Sequence, residues 1–172
     1  MATYFDNLFV IAQSPDLFFH RAKENNIRIY LIPNFLGYLG FIAGATKLGF
    51  YLNLRYGINV FDASEIAGGG IAVTILKFIT GKSTVVEVQG EIFKKPGQRQ
   101  NLKSRLLQKI GRFAMKKTDL IRVISHAIFN QVREQGIPES KIRLVSLRVD
   151  LNLFNPSNLL TSNVNKNVDN MG

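Results

Sequence analysis

The chain has 172 residues, 46% of them hydrophobic, which is enough for one domain with a sizeable core and excludes a wholly disordered chain. It has no cysteine, so disulfides, zinc–thiolate sites, iron–sulfur clusters and thiol nucleophiles are excluded. With 22 basic and 12 acidic residues the net charge is +10, so we expect a polyanionic partner: nucleic acid, an anionic membrane surface or a phosphorylated small molecule. The two histidines, His20 and His126, lie far apart in sequence, so no metal site is predicted and a serine-type triad is poorly supplied.

Short apolar runs alternate with helical patterns along the chain. Six runs of strand length are Leu8–Gln13, Ile27–Ile32, Ile58–Ala63, Ser83–Val88, Leu120–Ile124 and Ile142–Leu147. Five helical patterns lie between them, at Asp16–Asn25, Leu36–Tyr56, Gly70–Thr80, Asn101–Lys117 and His126–Gln135. This alternation predicts a Rossmann-like α/β fold, with a mostly parallel six-strand sheet and helices on both faces. Residues 1–154 form the predicted domain, and the Asn- and Ser-rich stretch 155–172 is predicted to be a linker or disordered tail.

One segment is long and apolar enough to raise the question of a membrane span. Phe35–Leu54 covers 20 residues with a single charge, Lys47. Its four glycines and the strand-like runs on both sides favour a helix packed against the sheet. A shallow helix at the membrane interface is the third alternative.

Ligands of doubly wound sheets bind beyond the carboxyl ends of the strands, so the residues that follow each strand are the site candidates. Those predicted to bind substrate are Ser64, Glu65, Gln89, Gly90, Glu91, Ser125 and Arg148. The alternative is that these residues are ordinary polar loop residues, with Ser125 as a helix N-cap. The glycines Gly68–Gly70 could cradle a phosphate, but without a GxGxxG pattern or a following Lys-Ser/Thr they favour tight packing instead.

A strongly basic stretch follows the fourth predicted strand. Residues 92–118 contain nine basic residues and no acidic residue. Those predicted to contact membrane or phosphate are Lys94, Lys95, Arg99, Lys103, Arg105, Lys109 and Arg112. Near an anionic surface each base contributes about 1 kcal/mol. The alternative is a solvated helix face that meets only water.

From about residue 57 onward the chain resembles the N-terminal half of a family 4 glycosyltransferase with the GT-B fold. The resemblance rests on the order of several motifs: INVFDA with its Asp-containing turn, a strand ending in Gln89-Gly90-Glu91, Thr118-Asp119 before a strand and Ser125, Gly136-Ile137-Pro138 with Lys141-Ile142, and Val149-Asp150 with Phe154 and Pro156. Two positions depart from the family pattern. Gln89 stands where the family has histidine, so it can hydrogen-bond but cannot titrate, and Arg148 stands where glycine or asparagine is common.

The resemblance implies a retaining enzyme that moves a sugar from a UDP- or GDP-sugar to a lipid-linked or polysaccharide acceptor, with no tightly bound cofactor. It implies that this chain is the acceptor-side half, inactive without a donor-binding domain in cis or trans. The implied location is the cytoplasm, with peripheral attachment to the inner face of the membrane. The alternative is a non-catalytic basic α/β module that acts as a partner subunit or binds nucleic acid or membrane. Nucleic acid is the weaker option, because among Lys94–Lys117 only Phe113 places an aromatic ring between the bases.

Overall fold

The computed structural model describes residues 5–33, 36–90 and 102–146. The strands are β1 (Leu8–Gln13), β2 (His20–Glu24), β3 (Ile27–Ile32), β4 (Val60–Ala63), β5 (Ser83–Val88), β6 (Leu120–Val123) and β7 (Ile142–Leu144). The helices are α1 (Gly37–Tyr56), α2 (Gly68–Thr80), α3 (Leu102–Lys117) and α4 (His126–Glu134), with a short 3-10 turn at Glu139–Lys141. The predicted α/β fold is confirmed, and all six predicted strands are present. The predicted tail 155–172 lies outside the described residues.

The strands form two sheets, so the prediction of one six-strand sheet is wrong. The first sheet has the order β1-β3-β2, with β1 parallel and β2 antiparallel to β3. The second sheet has the order β4-β5-β6-β7 and is parallel throughout. The first sheet contains a strand that the sequence patterns did not predict, and that strand pairs with the edge of β3 that β1 leaves open.

That extra strand, β2, replaces the helix predicted over Asp16–Asn25, which is wrong. Glu24 pairs with Ile27, so β2 and β3 are joined by a two-residue turn in which Asn25 adopts a φ of 52°. Asparagine tolerates this left-handed conformation better than most residues, and a two-residue connection is the usual loop of a β-hairpin. The local turn preference therefore outweighs the helical pattern.

The core lies between the β4–β7 sheet and three helices that share one face of it. Each β-α-β connection moves one strand further in the same direction, and right-handed crossovers then place α2, α3 and α4 on the same side. One cluster accordingly joins alternate strand residues with residues of all three helices: Phe61, Ala63, Val86, Val88, Ile121, Val123, Ile142, Val73, Leu76, Ala114, Met115, Ile128 and Val132. Within the described ranges, the helices that contribute to this core all pack on one face of the β4–β7 sheet. The prediction of helices on both faces is therefore corrected for this sheet.

Helix α1 packs between the small sheet and α2, and it runs parallel to α2. A Cβ placed on Gly44 would lie 2.8 Å from Ile32, and one on Gly49 would lie 2.7 Å from Leu76, so both glycines allow close contact. Near the start of the two helices, Gly68 lies against Phe41. Because α1 follows β3 and α2 follows β4, the carboxyl ends of the parallel strands in both sheets lie at the same end of the molecule. Among the described helices, none combines the length and the apolarity needed to cross a bilayer.

Candidate functional site

The candidate site is the rim, which we define as Ser64, Glu65, Gln89, Gly90 and Ser125. Ser64 and Glu65 follow β4, Gln89 and Gly90 follow β5, and Ser125 lies two residues beyond the end of β6. Since β4, β5 and β6 are adjacent and parallel, these residues lie along one edge of the sheet. Two further predicted site residues, Glu91 and Arg148, lie outside the described residues.

Glu65 folds back onto the first turn of α2. Its carboxylate accepts hydrogen bonds from the backbone N–H of Ala67 at 2.8 Å and from that of Gly69. A carboxylate is well placed there, because the free N–H groups and the helix dipole favour negative charge. The position that a bound phosphate would take is therefore occupied by a side chain of the protein itself.

The glycines at the start of α2 allow close packing, which is the role that the sequence analysis favoured over a phosphate site. A Cβ on Gly68 would lie 3.1 Å from the ring of Tyr38, and one on Gly69 would lie 3.3 Å from the Cβ of Ala63. A Cβ on Gly70 would lie 3.3 Å from the carbonyl oxygen of Glu65. Larger residues would push α2 away from β4 and α1.

A chain of polar contacts leads from Gln89 to the uncovered face of the sheet. The Gln89 Nε2 donates to Glu87 Oε2 at 2.6 Å, and the other oxygen of Glu87 forms an ion pair with Arg122 on β6. Asp62 lies on the neighbouring strand, and desolvation together with the negative charge of Glu87 raises the pKa of its carboxyl group. Glu87 thus anchors the Gln89 amide, which can form hydrogen bonds with a ligand hydroxyl.

Ser125 is the N-cap of α4. Its Oγ accepts a hydrogen bond from the Ile128 N–H at 3.3 Å, and its backbone is extended with a φ of −148°. Ser125 therefore has the capping role that the sequence analysis gave as the alternative to substrate binding. The hydroxyl hydrogen is not used by this bond and remains available to a ligand. His126 follows as the first, exposed residue of the helix.

A second polar cluster follows β1 at the same end of the molecule. The strand end locates Ser14, but the sequence patterns missed its partners Asp16 and His20. Asp16 Oδ1 accepts hydrogen bonds from the Ser14 hydroxyl at 2.7 Å and the Phe18 N–H at 2.9 Å, and both carboxylate oxygens lie 2.9 Å from His20 Nε2. These bonds, the Ser14 hydroxyl first, lower the pKa of Asp16 to about 2. The signal was the Ser-Pro-Asp sequence, which is typical of a turn closed by a side chain.

This second cluster is not a nucleophilic triad. In such a triad the serine hydroxyl donates to the histidine, whereas Ser14 donates to Asp16. Within the described part of the chain, no group of three or more His, Asp or Glu side chains is arranged to hold a metal ion. The cluster fixes the turn before β2.

The predicted basic contacts fall partly on α3 and partly outside the described residues. Arg105 and Lys109 are exposed on α3, while Arg112 donates to the side-chain oxygen of Gln135 at 2.7 Å. Lys103 belongs to α3 by its backbone. Lys94, Lys95 and Arg99 lie outside the described residues, so contact between them and the rim stays a prediction.

The parallel β4–β7 sheet, its three covering helices and the polar rim define a broadly Rossmann-like α/β protein. No family model matches the chain, and no curated protein is significantly similar to it. The resemblance to a GT-B glycosyltransferase therefore stays a prediction that rests on the motifs in the sequence.

Proposed function

We propose that this chain is the acceptor-side half of a retaining glycosyltransferase, which moves a sugar from a UDP- or GDP-sugar to a lipid-linked or polysaccharide acceptor. The observation that carries the proposal is the chemistry of the rim. Gln89 and Ser125 offer neutral hydrogen-bonding groups, and Glu65 fills the helix end at which Rossmann-like folds commonly hold a phosphate. Such a rim favours a hydroxyl-rich acceptor over a nucleotide diphosphate.

The donor sugar would then bind to a second domain, supplied in cis or in trans. On this proposal these 172 residues do not transfer sugar by themselves, because they resemble only the acceptor side of the cleft. The motif order from residue 57 onward supports this division, since it resembles the N-terminal half of GT-B enzymes. The basic residues of α3 support peripheral attachment at the cytoplasmic face of a membrane, where a lipid-linked acceptor would be found.

Binding measurements on the full chain test the proposal. We expect calorimetric titration with a panel of methyl glycosides, which have no long alkyl chain that could bind to an apolar surface, to detect saturable binding of at least one sugar. Gln89→Ala should weaken that binding several-fold, whereas Asn130→Ala on α4, which is exposed but not part of the rim, should leave it unchanged. UDP-glucose and GDP-mannose should not bind.

Three results would overturn the proposal. One is binding of a nucleotide-sugar to the chain without any glycoside binding, because the rim would then be a donor site. Another is sugar transfer by the chain alone. The third is glycoside binding that Gln89→Ala and Asn130→Ala affect equally.

A second candidate function is a non-catalytic basic α/β module that binds a polyanion or a partner subunit. The observation that favours it is α3, whose 16 residues contain no acidic side chain. This function predicts sub-micromolar binding to DNA or RNA with a steep salt dependence. It also predicts that Gln89→Ala has no effect, which separates it from the first proposal.

A further inference from the structure

The solvent-facing side of α2 is apolar, which is unusual for a helix on the outside of an α/β protein. Its inward residues pack in the core, yet Ile75, Phe78 and Ile79 are exposed, with Phe78 at 64%. These three residues recur at the spacing of one helix face. Surface helices normally place polar residues there, and a helix that is apolar on all sides is typical of a buried position. A partner that covers this face of α2 would therefore remove apolar surface from water, which is favourable.

The helices that pack on either side of α2 also have exposed apolar residues. Helix α1 runs parallel beside α2 and exposes Phe50, while α3 packs on the other side of α2 and exposes Leu106 and Phe113. The Lys117 ammonium lies 6.0 Å from the centre of the Phe78 ring, so the exposed rows of α2 and α3 adjoin. We call the exposed apolar residues of α2 and α3 the outer helical surface: Ile75, Phe78, Ile79, Leu106 and Phe113.

The charges of these helices have one sign. Helices α1, α2 and α3 contain 20, 13 and 16 residues, and among them there are nine basic residues and no acidic residue. All 12 acidic residues of the chain lie outside these three helices, and one of them, Asp119, pairs with Lys77 of α2. A helix surface that meets only water usually mixes both signs, and an exposed apolar patch of this kind marks an interaction site. The combination of exposed aromatic rings with basic residues is complementary to a layer of lipid phosphates above hydrocarbon.

We propose that the outer helical surface binds the membrane and lies flat on an anionic phospholipid bilayer. Its apolar side chains would enter the boundary between headgroups and acyl chains, about 5–10 Å deep, while the lysines of α3 contact phosphates. A second copy of the chain is a poorer occupant, because two such surfaces would bring like charges together. The proposal deepens the proposed function by naming the surface that holds the enzyme at its lipid-linked acceptor. Its test uses no sugar, so the two proposals can fail separately.

Single tryptophans test which surface enters the lipid. The chain has no tryptophan, so Phe78→Trp introduces one reporter on the outer helical surface. Phe18→Trp is the matched control, since Phe18 is similarly exposed, at 70%, but lies in the β1–β2 turn. With vesicles of equal phosphatidylcholine and phosphatidylglycerol, we expect a blue shift and quenching by brominated acyl chains for Phe78→Trp only. The reverse pattern, or no shift at either position, would overturn the proposal.

Charge substitutions then test the two kinds of contact by vesicle flotation. Phe78→Glu should reduce partitioning onto anionic vesicles at least ten-fold, and Phe18→Glu should not. Lys109→Gln should reduce it about five-fold, which corresponds to about 1 kcal/mol per base, whereas Lys23→Gln on β2 should have little effect. Binding to pure phosphatidylcholine should be weak. Equal effects of Phe78→Glu and Phe18→Glu would contradict the proposal, as would a stable dimer that Phe78→Glu dissociates and that does not float with vesicles.

Discussion

The rim and the outer helical surface differ in whether their side chains have partners within the protein. At the rim, the polar groups have partners within the protein. The Glu65 carboxylate accepts hydrogen bonds from backbone amides at the start of α2, the Gln89 amide donates to Glu87, and Ser125 caps α4. On the outer helical surface, large apolar residues such as Phe78 and Ile79 remain exposed to water. A rim of fixed, mostly satisfied groups suits selective hydrogen bonding to a small ligand. An exposed apolar and basic surface gains free energy only when an external partner covers it.

The largest expected effect on stability is a difference between the buried and the exposed side of the same layer of helices. Met115 on α3 is fully buried in the core, so Met115→Ala should lower the free energy of unfolding by about 2–5 kcal/mol. Phe78→Ala, on the exposed side of α2, should change it by less than about 0.5 kcal/mol. Urea denaturation of the two variants measures both values. Similar losses for both would mean that Phe78 is covered within the protein and would refute an open outer surface.

The next largest effect on stability concerns Asp119, which follows α3 and links Lys77 of α2 to Thr84 of β5. Its carboxylate accepts from the N–H and the hydroxyl of buried Thr84, both at 3.0 Å, and from Lys77. Asp119→Ala should cost about 1–3 kcal/mol, because the Thr84 N–H loses its partner. Lys77→Met should cost less, since both Thr84 bonds remain.

The contribution of Asp119 should depend on pH. Burial raises the pKa of Asp119, but the bonds from Lys77 and Thr84 outweigh it and hold the pKa below its usual value. The contribution is thus complete above the unfolded pKa, about 3.9, and is lost as the pH falls through the lower folded value. The difference in unfolding free energy between the wild type and Asp119→Ala should shrink below about pH 4. A constant difference from pH 7 to pH 3 would contradict the assigned hydrogen bonds.

A smaller effect should come from the two helix ends at the rim. Glu65→Ala and Ser125→Ala each remove an N-terminal cap and should each cost about 1 kcal/mol. Only Glu65→Ala should also create weak phosphate binding at α2, because it frees the N–H groups of Ala67 and Gly69. Phosphate titration followed by amide chemical shifts measures this gain. Equal phosphate binding by the wild type would show that Glu65 does not fill the anion position.

The smallest effect should come from an exposed ion pair away from both surfaces. Arg133 and Glu139 lie 3.0 Å apart with more than half of each side chain exposed. Arg133→Ala should therefore change the unfolding free energy by less than about 1 kcal/mol and leave vesicle binding intact. A clear loss of vesicle binding would extend the membrane contact to α4 and weaken the assignment to α2 and α3.

The order of strands and helices was largely readable from the sequence, but their assembly was not. Six strands and the helices after Pro33 lie where the apolar patterns predicted them. The exception, Asp16–Asn25, carried a turn signal at Asn25-Asn26 that competed with its helical pattern. The division into two sheets depends on which strand edges pair, and such long-range pairing leaves no local pattern in the chain.

The sequence also indicated the rim residues more readily than the outer helical surface. Strand ends locate Glu65, Gln89 and Ser125, but their internal hydrogen bonds depend on side-chain geometry. Gly70–Thr80 was predicted as a helix of the α/β layer because it lies between two predicted strands, after the glycine triplet and before Gly81. Helical spacing groups Ile75, Phe78 and Ile79 on one face, but spacing alone does not reveal whether another layer covers that face. Only the packed structure distinguishes the covered side of α2 from the exposed one.

The most direct test of this separation is one set of amide spectra of the ¹⁵N-labelled chain with two additions. Bicelles containing an anionic lipid should change the signals of α2 and α3 residues around Phe78 and Phe113, and leave those of Gly90 and Ser125 in place. The methyl glycoside that binds most tightly should do the reverse. Shifts of the same residues by both additions would contradict the account, because a single surface would then serve both the membrane and the acceptor.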